Sequence, residues 1–200
     1  MTVTSAAPAA APATVGAPAG THHSTHHGAR AGAHAGAVPS RLFSQGLIGL
    51  TRIALGFVFL WTFLDKTFGL GHATPRDQAW REGVSPTSAF LSSRDGIFGE
   101  LFRPLAGQAW VDWAYMVGMA LVGTSLILGI TMRLAAVGTV CLMGAVYVAS
   151  LPLEHNPVVD KHLVYAGSAI TLALVGAGRS LGLGRWWTAL PPVRKLRWLG

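Results

Sequence analysis

Apolar residues gather along this chain into four long runs, each with polar or charged residues crowded at one end. The first reads LFSQGLIGLTRIALGFVFLWTFLDKTFGL from Leu42 to Leu70 and carries Arg52, Asp65 and Lys66. A helix of about 20 apolar residues crosses the hydrocarbon core of a bilayer, so those charges fall at or just inside its edges. The pattern predicts spans over about 44–70, 108–130, 134–151 and 160–177. Trp110, Trp113 and Tyr115 open the second span as an interfacial aromatic belt would. Only Thr131, Met132 and Arg133 separate the second span from the third, which requires a tight antiparallel hairpin. Pro152 and Pro157 end the third. Small residues four apart, Ala114 with Gly118, Ala120 with Thr124 and Ala145 with Ala149, place small groups on one helix face for close packing. The predicted fold is all-α, an integral membrane four-helix bundle over 41–185.

Composition strengthens that reading. Hydrophobic residues make up 51% of the 200 and charged residues 12%, against about 25% charged in soluble domains. The basic excess of 15 over 8 is spread among loops and tails, so it gives nucleic acid no basic stripe to bind. Membrane lipid is the expected partner, anionic lipid above all. The single cysteine, Cys141, allows no internal disulfide and no CxxC redox chemistry, and its mid-span position reads as packing.

Residues 1–40, built from Ala, Pro, Gly, Thr and His, bury too little to order themselves and read as a disordered tail. His22, His23, His26, His27 and His34 offer transient metal contacts at most, so no metal site is assigned. The tail lacks a signal's basic start and apolar core, which leaves the first span as the insertion signal. Arg30, Arg41, Arg133, Arg179, Arg185, Arg194, Lys195 and Arg197 share one side of a four-span topology. On the other side, Arg76, Arg81, Arg94 and Arg103 alternate with Asp77, Glu82, Asp95 and Glu100. The expected location is the plasma membrane, with both termini and the basic tail at 186–200 cytoplasmic. In the outer loop, Ser85 with Pro86 reads as a helix start. Ile97, Phe98, Leu101, Phe102 and Leu105 then recur at helical spacing, fitting an amphipathic element on the membrane or a roof over a pocket.

Candidate chemistry collects at the outer ends of the first and fourth spans. Trp61 and Asp65 share a helix face, with Lys66 beside them. In DKHLVYAGS, His162 and Tyr165 share another, with Asp160 and Lys161 at the entrance. Asp65, His162 and Tyr165 are the candidates for proton transfer. Trp61, Lys66, Asp160 and Lys161 are the candidates for holding an anion or a quinone ring. The plainer alternative makes Trp61 and Tyr165 interfacial anchors and the lysines surface-seeking chains with local counter-charges. Arg52 reads as a residue reaching for the inner surface, and Asp112 as a weaker pocket candidate.

The stretches RIALGFVFLWTFLDKTFGLG, REGVSPTSAFL and DKHLVYAGSAITLALVGAGRSLGLGRWW resemble the DoxX/DoxD family of small four-helix membrane proteins, over roughly residues 44–188. The long first loop is most similar to the DoxD branch. The resemblance implies a membrane subunit of a thiosulfate:quinone oxidoreductase, with quinone as electron acceptor and a second subunit or a sulfur-transfer protein as partner. It supplies no catalytic residues to carry over. The sequence has no haem, flavin or iron–sulfur motif, and a lone histidine at a span end gives haem no facing ligands, although His72 and His155 lie in outer loops. A non-enzymatic scaffold for redox or sulfur-transfer proteins is the alternative function. A transporter is a weaker one, since no helix breaks in mid-membrane.

Overall fold

The computed structural model describes residues 37–94, 98–153 and 158–195. The expectations for the His-rich tail, for His155 and for the last basic residues fall outside this range. The described residues are all-helical. The elements are α1 (Ala37–Phe68), α2 (Ser88–Ser92), α3 (Gly99–Phe102), α4 (Ala109–Leu128), α5 (Met132–Ala149), α6 (Lys161–Leu174), α7 (Gly184–Ala189) and α8 (Pro191–Lys195), with short 3₁₀ turns between them.

Three of these, over Ser40–Phe68, Ala109–Leu128 and Met132–Ala149, are long and apolar enough to cross a membrane. Their ends fall within a few residues of the sequence expectation, except that α1 starts earlier, at Ala37, with Pro39 tolerated in its first turn. The fourth expected span is shorter. Gly176 takes a left-handed conformation (φ 68°) just beyond α6, so α6 has 14 residues and extends about 21 Å.

The helices α1 and α4 pack along each other, as do α4 and α5, and α5 and α6. The tightest approach is between α1 and α4 at Gly56 and Gly123. A Cβ on Gly123 would lie 2.6 Å from the backbone nitrogen of Leu60, and one on Gly56 would lie 2.9 Å from the carbonyl of Gly123. Both positions require glycine, because any side chain would force the backbones apart. Of the small pairs expected from sequence, Gly118 faces Leu142 of α5, whereas Thr124 and Ala145 are exposed. Phe59, Met119, Leu126, Met143 and Leu172 form the core. Outward, Leu42, Phe43, Phe57, Leu121, Val137 and Leu174 remain exposed, a greasy periphery of the kind lipid covers.

The connections give the helix set two unlike ends. The loop end carries the segment between α1 and α4 and the one between α5 and α6. The turn end carries Gly129–Thr131 between α4 and α5, together with α7 and α8. The sequence reading leaves 186–200 as a tail. Instead, α7 and α8 return to the helices, with Val193 buried and the Leu183 amide donating to the Leu128 carbonyl at 2.8 Å.

Candidate functional site

At the loop end, carboxylates fasten the chain. Asp65 is buried. Its Oδ1 accepts from the His72 amide at 3.3 Å and its Oδ2 from the Ala73 amide at 3.0 Å. The chain turns back over the end of α1 through Gly69 (φ 63°) and Gly71 (φ 82°), conformations that favour glycine. The Trp61 ring meets the His72 ring edge-on at 5.1 Å and stacks on Phe57 at 5.7 Å. Asp112, in the first turn of α4, is also buried. Its Oδ1 accepts from the Ser85 hydroxyl at 2.8 Å, the Thr87 hydroxyl at 2.6 Å and the Thr87 amide at 3.3 Å. Ser85 Oγ in turn accepts the Ser88 amide at 3.1 Å, but α2 opens at Ser88 with Thr87 as its N-cap, so the helix starts later than the expected Ser85–Pro86, and Asp112 fastens the turn that precedes it.

The α6 candidates form a local cluster. Asp160 caps the helix, its Oδ1 accepting the amides of His162 at 3.0 Å and Leu163 at 3.3 Å. Its Oδ2 meets His162 Nδ1. Burial pushes the Asp160 carboxyl up, but these donors outweigh burial and hold it below the ordinary carboxylate range. Tyr165, one turn on, packs edge-to-face with Phe59 at 6.2 Å on the margin of the core. Lys161 is exposed. Among the described residues, no hydrogen bond or ion pair joins Asp65 or Lys66 to Asp160, Lys161, His162 or Tyr165.

Lys66 has a different setting. Half-buried, it donates from Nζ to the Pro86 carbonyl at 3.1 Å. Among the described residues it is also the one charged residue lining a cavity of about 410 Å³ between α4, α5 and the outer loop. Phe90, Phe102, Trp110, Tyr115, Leu142 and Val146 form much of the wall. The amphipathic stretch seen in sequence helps to roof this space. It is a single turn, α3, followed by a 3₁₀ turn, with Phe102 and Leu105 facing the cavity and Leu101 exposed. Cys141 also lies on the wall. Lys66 is thus the only one of the sequence candidates on this wall; Trp61, Asp65, Asp160, Lys161, His162 and Tyr165 lie elsewhere. A pocket of this size suits a small ring compound, and an ammonium at the edge of an apolar space can donate to a carbonyl or anionic oxygen.

The turn end holds the feature that sequence reasoning missed. Arg52 does not reach for a surface, because its side chain is fully buried. Its Nη2 donates to the Leu181 carbonyl at 2.9 Å and to the Ile127 carbonyl at 3.4 Å, while Nε and Nη1 have no hydrogen-bond partner among the described residues. Glycines make room for the guanidinium. A Cβ on Gly129 would fall 1.7 Å from Nη1, and one on Gly182 would fall 2.4 Å from it. The signal was present in the glycine run at 176, 178, 182 and 184 just after the last apolar run. Nothing local tied that run to an arginine more than a hundred residues earlier.

No family model matches this chain, and neither a curated protein nor a solved structure matches it.

Proposed function

We propose that this chain is a membrane subunit of a quinone-linked oxidoreductase acting on thiosulfate or a related sulfur oxyanion. The observation that carries the reading is the apolar, aromatic-walled cavity with the Lys66 ammonium on its wall. In this reading α6 and the turn after it make a fourth crossing, giving a four-helix bundle with both termini cytoplasmic and the loop end outside. Two thiosulfate ions join through a new S–S bond to give tetrathionate, releasing two electrons. A quinone takes up those electrons with two protons to give the quinol. The cavity holds the ring between aromatic side chains, and Lys66 donates to a quinone oxygen as negative charge builds on it. Lys161, exposed at the start of α6, draws the sulfur oxyanion to the outer surface. The His162–Asp160 pair beside it supplies protons from water. A sulfur-oxidising partner subunit docks on this face.

The decisive assay follows reduction of a short-chain quinone by thiosulfate with protein purified in mild detergent. Turnover that Lys66→Gln and His162→Gln each lower by 10-fold or more supports the reading, since positioned proton transfer alone contributes about 10²–10⁴. Well-folded protein that is inactive with lipid added, alone and with its co-purified partners, rejects it.

One observation favours the scaffold reading. Asp65, Asp112 and Asp160 are each occupied by donors of the chain itself, as expected of groups that shape a docking surface. Under that reading the same substitutions alter partner recovery in pull-downs and no quinone is reduced.

A further inference from the structure

The wall of the loop-end cavity is unevenly covered. Thr87, Leu91 and Ala149 are buried, and Phe102 and Leu105 of the outer loop help to roof the space. Toward the turn end α4 and α5 close on each other, a Cβ on Gly118 falling 3.1 Å from the Leu142 side chain. The rest of the wall behaves differently. Trp110 and Ala114 on α4, with Cys141 and Ala145 on α5, line the cavity and are nonetheless exposed. Three of these four are small, so the cavity reaches the outer surface of the helices through a gap between α4 and α5.

We propose that the cavity is filled sideways through this gap, by a quinone whose long isoprenoid tail leaves between Ala114, Cys141 and Ala145. The identity of the ring rests on the function proposed above, whereas the gap is a property of the helices themselves.

Depth decides which phase the gap meets. Cys141 lies midway along the 18 residues of α5, about 12 Å along the axis from Ala149. Because α5 is long and apolar enough to cross a membrane, its middle lies in hydrocarbon whichever way the helix faces. A molecule entering there comes from the bilayer, and whatever part of it stays outside rests among acyl chains, where a hydrocarbon tail is favoured. Exposed Val117 and Leu121 on α4, and Val137 and Val140 on α5, continue that apolar surface beyond the gap. The polar end of the cavity lies the other way. Lys66, two residues before the end of α1, gives the Pro86 carbonyl one hydrogen bond at 3.1 Å, and an ammonium has three donors. A ring oxygen can therefore sit at Lys66 while the tail runs toward mid-span. A small water-soluble ring compound would use the first of these features and not the second.

The test uses the full chain in proteoliposomes and a tailed quinone carrying an aliphatic diazirine on the first carbons of its tail, with crosslinks mapped by peptide sequencing. Crosslinks should fall on 110–121 and 137–145 and be suppressed by excess tailed quinone. Ala145→Trp narrows the gap and should lower their yield about tenfold. Val164→Trp, at an exposed position of α6 off the cavity wall, should leave it unchanged. Ala114→Phe stands in if Ala145→Trp does not fold. Crosslinks on 86–105 would mean that the tail leaves under the outer loop, which overturns lateral entry and keeps the ring site. A yield unaltered by Ala145→Trp overturns it as well. Suppression by oleate as strong as that by tailed quinone would give the gap to a lipid chain and overturn the quinone assignment. Crosslinks that excess tailed quinone does not suppress also overturn the proposal, and an azide on the ring separates the two failures. Competed ring labelling inside the cavity then means that the tail route alone is wrong, and its absence means that the quinone reading fails too.

Discussion

The two ends of the helix set hold buried charge by opposite means. At the loop end, Asp65, Asp112 and the partly buried Asp160 each sit where backbone amides or hydroxyls converge, Asp65 and Asp160 held by chain within a few residues and Asp112 by the outer-loop donors Ser85 and Thr87. At the turn end, Arg52 is held by glycines drawn from distant parts of the sequence and by two carbonyls, and Nε and Nη1 have no hydrogen-bond partner among the described residues. Local satisfaction tolerates change in the surroundings. A charge enclosed by close packing does not, because each wall atom lies within van der Waals contact of it.

The largest effect should come from breaching that wall. Gly129→Ala places a methyl group in the guanidinium and keeps a left-handed backbone (φ 73°) that only glycine adopts freely. It should cost about 3 kcal/mol or more, read as a fall in thermal midpoint by circular dichroism or as failure to accumulate in the membrane. Arg52→Met sharpens the point. Removing the charge while filling its volume should leave stability unchanged or raise it by about 1–4 kcal/mol. A loss of several kcal/mol would mean that the two carbonyl hydrogen bonds outweigh the burial of the charge.

Effects at the loop end should be smaller and local. Asp112→Ala leaves the Ser85 and Thr87 donors without their acceptor and should cost about 1–3 kcal/mol, with faster proteolysis between 83 and 94. Asp160→Ala removes the α6 cap and should cost about 1 kcal/mol. The folded-state pKa of Asp160 is depressed, so its contribution is present above the ordinary carboxylate pKa and is lost as pH falls through the folded value. The gap between wild type and Asp160→Ala in thermal midpoint should therefore close on acidification. Lys161→Gln, on an exposed side chain, should stay within about 0.5 kcal/mol of wild type.

What could be read in the sequence followed how local its cause was. The three long helices fell within a few residues of their expected ends, apart from the early start of α1, because apolar runs and flanking polar residues are properties of contiguous chain. A helix start close to Ser85 was legible for the same reason, although α2 opens at Ser88 behind Thr87. The fourth span was overestimated because Gly176 reads as one more small residue of an apolar run until its backbone conformation is known. Asp65 and Lys66 are adjacent, yet one is fastened into a loop and the other lines a cavity. Their separate destinations depend on the loop's return path, which periodicity does not encode. Arg52 was misread because it sits ten residues into an apolar run that starts at Leu42, a position from which a long side chain can reach a surface. The glycines of 129–184 that enclose it become neighbours only in the folded chain.

The central claim is that the loop-end cavity receives a quinone ring. Photolabelling with a short-chain azidoquinone, followed by peptide mapping, tests it most directly. The account predicts labelling confined to the segment around Lys66, to 86–115 and to 141–149, competed by unmodified quinone and weakened in Lys66→Gln. Labelling that excess quinone does not compete, or that falls on residues away from this cavity, would contradict it.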